Sequence, residues 1–322
     1  MKKIILSTTI LIFCSFFSWG QISVIIEGID NATHVETNVE NLLDAINECY
    51  NSKQAFNASN LDITPDCKSE ISDILSFSPI QITEKLIRCN AAEVANTKEY
   101  QIRNIPILLE EYDENQKDTA NRTKMNPHEI VISFDSRGKI TDFQIAIDQH
   151  SYSKILSSRD VADKMHRQMV LHFLEQFRTA YNTKDITFLK QIYSDDAIII
   201  TGKVINVKPS EIHPSGEKVT YKQQDKDEYI SNLQRVFSNN KKINVSFDEI
   251  EVKMHPTNPN WYGVMLKQGW TSDLYHDEGY VFLLWDFSNE NEPTIHIRTW
   301  QPEKYITTDD EKFSLDDFDI AQ

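Results

Sequence analysis

The sequence is poor in the residues that build nucleotide cradles, metal cages and membrane spans. It has eight glycines in 322 residues, and neither GxGxxG nor GxxxxGKS occurs, so no glycine loop lets backbone N–H groups close on a phosphate. GxSxG and HExxH are missing too, which removes two common hydrolase signatures. The four cysteines, Cys14, Cys49, Cys67 and Cys89, form no CxxC pair and have no histidine close in sequence. That spacing lacks the signature of a zinc site, and no metal or other cofactor is expected. Positive charge is short: 33 Lys and Arg stand against 49 Asp and Glu, for a formal net charge of −16 and no basic run. Nucleic acids and anionic membrane surfaces are held mainly through Lys and Arg, so both are excluded as partners.

Long apolar runs are equally scarce. The one of note, Ile4 to Phe17, follows Lys2 and Lys3 and precedes Ser18-Trp19-Gly20. A basic start, a short apolar stretch and small residues at the cleavage positions read as a secretory signal over residues 1–20. The run falls short of the roughly 20 residues a span needs. Cys14 follows Phe13 rather than a small residue, unlike a lipid-modified cysteine. The expected location is therefore the periplasm, with an outer-membrane lipoprotein or a secreted protein as alternatives and no membrane span in the mature chain. Export into an oxidising compartment leaves Cys49, Cys67 and Cys89 open to two states: one disulfide with one buried thiol, or three reduced thiols.

What is present is periodicity. Val35 to Tyr50 repeats apolar residues at helical spacing through Val39, Leu42, Leu43 and Ile46. Thr64-Pro65-Asp66 is a cap followed by proline at the first helical position, opening a helix with Ile71, Ile74 and Leu75. Extended segments follow at Tyr100 to Leu109 and Glu129 to Phe134, and Asp135-Ser136-Arg137-Gly138 predicts a hairpin into Ile140 to Ile147. The polar stretch DENQKDTANRTK after Tyr112 reads as a loop, within which Asp118-Thr119-Ala120 is a weak three-residue match to a glycosylation sequon. Residues 21–157 thus form an N-terminal α+β domain.

The second domain, residues 158–308, opens with a long helix that Asp160 can cap and that reaches Tyr181. The segment Phe173 to Gly202, FLEQFRTAYNTKDITFLKQIYSDDAIIITG, joins that helix to a short one opened by Asp185 and to a β-branched strand. A further helix at Asp225 to Phe237 has Tyr229, Ile230, Leu233 and Val236 facing inward. Strands follow at Ile243 to Met254, Trp261 to Thr271, Gly279 to Phe287 and Thr294 to Trp300. This order resembles the nuclear transport factor 2-like superfamily, with its polyketide-cyclase and ketosteroid-isomerase types. The resemblance implies a cone, a curved antiparallel sheet wrapped around helices. The helices-then-sheet order of the first domain suggests either a divergent copy of that cone or an unrelated α+β cap. Members of the superfamily range from enzymes to adaptors, so function stays open.

Strand alternation sorts the site candidates. Val281, Leu283, Trp285 and Phe287 share one face, as do Ile295, Ile297 and Thr299; Tyr280, Asp286, His296, Arg298 and Trp300 share the other. Like is expected to pair with like, because mixing would bury charge. The outer set then predicts a partner interface or self-association. The concave side would hold Tyr262, Gln268, Trp270 and Trp285, an apolar pocket with an amide and a phenol that suits a small apolar ligand better than proton transfer. His166 and His172, six residues apart, do not share a helix face and are the only candidate bases for a lyase or isomerase. Asp195-Asp196 lies at a helix-to-strand junction and reads as structural. The acidic tail at 309–322 lacks the alternating ligands of a calcium loop, and Phe313, Leu315 and Phe318 are positioned to dock it. The function implied is an exported, non-enzymatic binding or scaffold protein.

Overall fold

The computed structural model describes residues 22–30, 32–94, 99–112, 123–147, 164–209, 216–273, 275–289 and 292–318. The expected leader at 1–20, Cys14, the sequon match at Asp118, the expected cap at Asp160 and the expected boundary near residue 157 lie outside the described residues.

Two six-stranded sheets organise the chain. In the first half, strand β1 (Ser23–Glu27) precedes helices α1 (Ala32–Ser52) and α2 (Pro65–Phe77), then β2 (Ile80–Gln81), β3 (Leu86–Glu93), β4 (Glu99–Tyr112), β5 (Thr123–Asp135) and β6 (Ile140–Ile145). The strand order is β1-β3-β4-β5-β6, with β2 on β4. Thr64 caps α2 by accepting from the Cys67 N–H, with Pro65 at the first helical position. Gly138 closes the β5–β6 turn at φ +87°, a conformation that glycine adopts without a Cβ penalty. One face of α1 buries Val35, Val39, Leu42, Leu43 and Ile46 against the sheet.

The second half runs α3 (Lys164–Asn182), α4 (Ile186–Ile192), β7 (Tyr193–Asn206), β8 (Glu217–Gln224), α5 (Lys226–Asn239), β9 (Ile243–Met254), β10 (Trp261–Ser272), β11 (His276–Asp286) and β12 (Thr294–Pro302). Its strand order is β8-β7-β12-β11-β10-β9, and the first long strand, β7, pairs in parallel with the last, β12. Asp185 and Asp225 cap α4 and α5 through the N–H groups of Phe188 and Glu228. On α5 the buried stripe is Ile230, Leu233 and Phe237, while Val236 is exposed rather than inward. A helix returns to the same face after seven residues, which selects 237 and not 236. Strand β7 starts at Tyr193, so Asp195 and Asp196 fall inside it rather than before it.

The halves differ in connection. In the first, a parallel strand precedes the helices and the antiparallel strands follow in sequence; in the second, helices come first and the last strand returns to the first. The first half shares layers with the second, helices on an antiparallel sheet, but does not repeat its strand order.

Contacts from α3 tie the halves together. Glu175, with no exposed side chain, accepts from Arg103 of β4 at 2.5 and 3.1 Å and from the Ile147 N–H at 3.0 Å. Arg178 donates to the carbonyls of Ile145 and Ala146. Cys49, Cys67 and Cys89 are all free thiols, the second of the two states the sequence left open. Burial pushes the Cys89 thiol up to about 11, where it stays protonated and unreactive.

Candidate functional site

The decisive local event is a β-bulge. From Tyr280↔Gln301 to Leu284↔Ile297 the β11–β12 pairing is regular, and then Trp285 pairs with Ile295. One residue of β12, His296, is extra. Because side chains alternate with period two, one inserted residue reverses the facing of everything beyond it. Ile295 and His296 obey the face assignment made from sequence. Past the bulge, Ile297 and Thr299 lie outward opposite Leu284 and Phe282, and Arg298 and Trp300 lie inward opposite Leu283 and Val281. The expectation that like pairs with like fails here, and Arg298 and Trp300 do not belong to an outer interface.

Arg298 is 5% exposed. Its Nη2 reaches Gln268 Oε1 of β10 at 3.4 Å, and its Cζ lies 5.3 Å from the centre of the Tyr229 ring. Its Nε has no hydrogen-bond partner. Around it three phenols are linked: the Tyr181 hydroxyl lies 2.6 Å from that of Tyr229 and 3.2 Å from that of Tyr193. They come from α3, α5 and the start of β7, so the cluster forms only once two helices have packed on the second sheet. Burial raises the Tyr181 and Tyr193 phenols well above their ordinary value, and both are neutral at physiological pH. Burial alone would lower the guanidinium, but the neighbouring phenol oxygens outweigh it and the value is raised. Arg298 is therefore a fixed cation among neutral dipoles. No carboxylate among the described residues pairs with it.

Half-buried rings surround this centre. Trp270 meets Tyr181 edge-on at 6.0 Å, and Trp300 stands two residues from Arg298 on the same face. Gly279 makes room for the Trp300 ring, since a Cβ there would sit 2.8 Å from Trp300 Cε2.

The other residues singled out from sequence divide three ways. Tyr262, Gln268 and Trp285 point inward and are buried, as expected, but Trp285 packs among Phe173, Phe177 and Phe287. It is core rather than pocket wall. Tyr280, Asp286 and His296 stay outside. The His296 ring stacks on Trp261 at 5.0 Å, with Asp196 at 3.3 Å and Asp286 at 3.6 Å. Lys312 Nζ covers the Tyr280 ring at 3.8 Å. His172 faces Asp142 of the first half at 4.0 Å, away from the cone. His166 lies 5.4 Å from the Tyr262 ring. Asp195 pairs with Lys226 at 2.7 Å, a structural tie from β7 to α5.

The outer face of the second sheet is closed by the chain's own end. Phe282, Leu284 and Ile297, with Trp261 and Met265, meet Phe313, Leu315 and Phe318. Phe318 stacks on Phe282 at 5.5 Å, Gln301 bonds the Glu311 carbonyl and the Phe313 N–H, and Gly263 leaves the socket that Leu315 fills. The tail docks as its three apolar residues suggested. The sequence reading missed Tyr181, Tyr193 and Tyr229 as a set. The signal was available for two of them, since Tyr181 and Tyr229 fall on inward-facing helix positions.

Helices on a largely antiparallel sheet are what the sequence resemblance implied; the parallel pairing of β7 with β12 was not part of that expectation. No family model matches the chain, and no curated protein does. Solved structures similar to part of it include Bdellovibrio bacteriovorus Bd1075, 17% identical over 45% of this chain and 42% of its own length, with a TM-score of 0.34. A nuclear transport factor 2-like protein from Cytophaga hutchinsonii is 13% identical over 42% of this chain and 97% of its own, at a TM-score of 0.32. One from Salmonella enterica is 13% identical over 45% and 96%, at 0.33. The chain thus spans less than half of the Bdellovibrio protein, and likenesses of this size say nothing about activity.

Proposed function

We propose that this chain is an exported, non-enzymatic binding protein in which the second half takes a small ligand at the Arg298 centre and the first half supports it. The observation that carries the reading is the polar centre itself: a guanidinium, an amide and three linked phenols inside an otherwise apolar cone. Buried polar groups with few partners, walled by rings, are what small-molecule sites present. None of them is suited to pass a proton near neutral pH, because the Tyr181 and Tyr193 phenols are held protonated and a guanidinium does not release its proton. The leader-like start of the sequence supports export. A partner protein on the outer face is a weaker expectation, since the tail occupies the apolar part of that face.

Native mass spectrometry of the mature protein tests the reading. A bound mass that leaves on denaturation supports it; a bare protein from every preparation counts against it. A second reading, a lyase or isomerase, rests on the proximity of His166 to Tyr262. Turnover with a pH profile that disappears in H166A would establish it, and turnover surviving that substitution would remove His166 from consideration.

A further inference from the structure

We infer that the ligand of this centre is a small organic monoanion, a carboxylate on an apolar or aromatic body, and that Arg298 is its receptor. The inference rests on the binding reading above and gives it a substrate class. A guanidinium carries five N–H donors in a planar fork. Here one N–H reaches the Gln268 amide oxygen at a long 3.4 Å, the Tyr181 hydroxyl accepts from another, and Nε reaches nothing. A buried charge without a counter-charge is strongly unfavourable, and neutral phenols supply dipoles only. A carboxylate would satisfy the fork with two parallel bonds and cancel the charge at once.

The charge count favours a monoanion over phosphate. Among the described residues Arg298 is the one cation at the centre: Lys267, beside Gln268 on β10, pairs instead with Glu278 and Glu303. No glycine cradle supplies backbone donors. The body of the ligand is set by the rim, where Tyr229, Trp270 and Trp300 are half-buried and offer ring faces. The bulge at His296 sets this geometry: were His296 and the residues after it in unbroken alternation from Ile295, Arg298 would fall on the outer face.

Benzoate and its neutral counterpart benzamide, at matched ionic strength, are the probes. Titrations followed by Trp fluorescence and by thermal melting are run on the full mature chain and on Arg298→Met. Benzoate should bind the wild type at least about 10-fold more tightly than benzamide, the ratio expected for a charge-assisted pair. It should also raise the melting temperature, and Arg298→Met should lose both effects. Without ligand, Arg298→Met should melt a few degrees above the wild type, because an apolar side chain replaces an uncompensated charge. Should that variant not fold, Arg298→Gln serves the same comparison. Equal binding of benzamide and benzoate, an unliganded variant that melts below the wild type, or no effect of benzoate on the wild type would each overturn the anion inference. The binding reading itself falls only if native spectra also hold no bound mass.

Discussion

Aliphatic side chains fill the core of the first half: Ile22, Val24, Ile46, Ile71, Ile102, Ile105, Ile130 and Ile132 pack with two phenylalanines. Rings fill the core of the second, where Phe177 touches Tyr181, Tyr193, Phe247 and Trp285. Branched aliphatics interlock and leave no polar atom to satisfy. Tyrosine and tryptophan bring a polar edge into the interior, and each needs a partner or a ligand. The first half is therefore suited to hold shape, and the second to hold something else. Glu175 and Arg103 are the bolt between them.

The largest effect expected from breaking this contrast is at Phe177. Phe177→Ala removes the ring at the centre of the aromatic core and should cost about 3–5 kcal/mol, read as the loss of the tyrosine and tryptophan near-UV signal in a denaturant titration. The matching truncation in the aliphatic core, Ile46→Ala, should cost about 2–5 kcal/mol yet leave the near-UV signal of the folded variant intact. An equal loss of that signal in both folded variants would dissolve the distinction between the cores.

Next is the bolt. Arg103→Ala leaves Glu175 buried and uncompensated, and should destabilise the protein by roughly 3 kcal/mol. If the halves unfold as one unit in the wild type, a second transition should separate in the variant. A single unshifted transition would show that the bolt contributes nothing.

A smaller, pH-dependent effect lies where α2 meets the first sheet. Burial, then the Asp142 charge and its hydrogen bond, push the Glu70 carboxyl well above the usual range. A raised carboxyl favours the protonated folded state, so its contribution is fully present below the ordinary glutamate value and is lost as pH rises through the raised one. Glu70→Gln keeps the hydrogen bond without the charge. It should add about 1–2 kcal/mol at pH 8 and nothing at pH 4. Equal gains at both values would assign the effect to packing.

Smallest is the tail. Leu315→Ala empties the Gly263 socket and should cost about 1 kcal/mol or less of global stability, yet make the chain after Pro302 the first site cut in limited proteolysis. An unchanged cleavage pattern would mean that Phe313 and Phe318 hold the tail without it.

Most of the scaffold was legible in sequence, because its signals are local. Thr64, Asp185 and Asp225 cap where they stand, Gly138 turns where its φ is positive, and the helices and strands β9 to β12 of the second half fall close to their expected bounds. Strands β1 and β3, a parallel pair at one sheet edge, and β8, the edge strand of the other sheet, left no comparable signal. The candidate site was only half legible. Tyr262 and Gln268 followed alternation inward, but alternation on β12 holds only to the bulge. A bulge is decided by how two strands meet, so Ile295-His296-Ile297-Arg298 reads as an unbroken pattern in one chain alone. The cysteines stayed open between one disulfide and three thiols for a related reason: compartment argues for oxidation, but only geometry brings two thiols together.

The bulge at His296 also bears on how such a protein can change over time. Deleting that one residue would only straighten the strand: Ile295 would still face Trp285, Ile297 would face Leu284 and Arg298 would face Leu283, so the charge would stay enclosed. The extra residue is thus a spare that the interior does not count, and the loss of its codon is a change the enclosed centre can absorb. A length change one step later, between Ile297 and Arg298, is the one that would turn the guanidinium out.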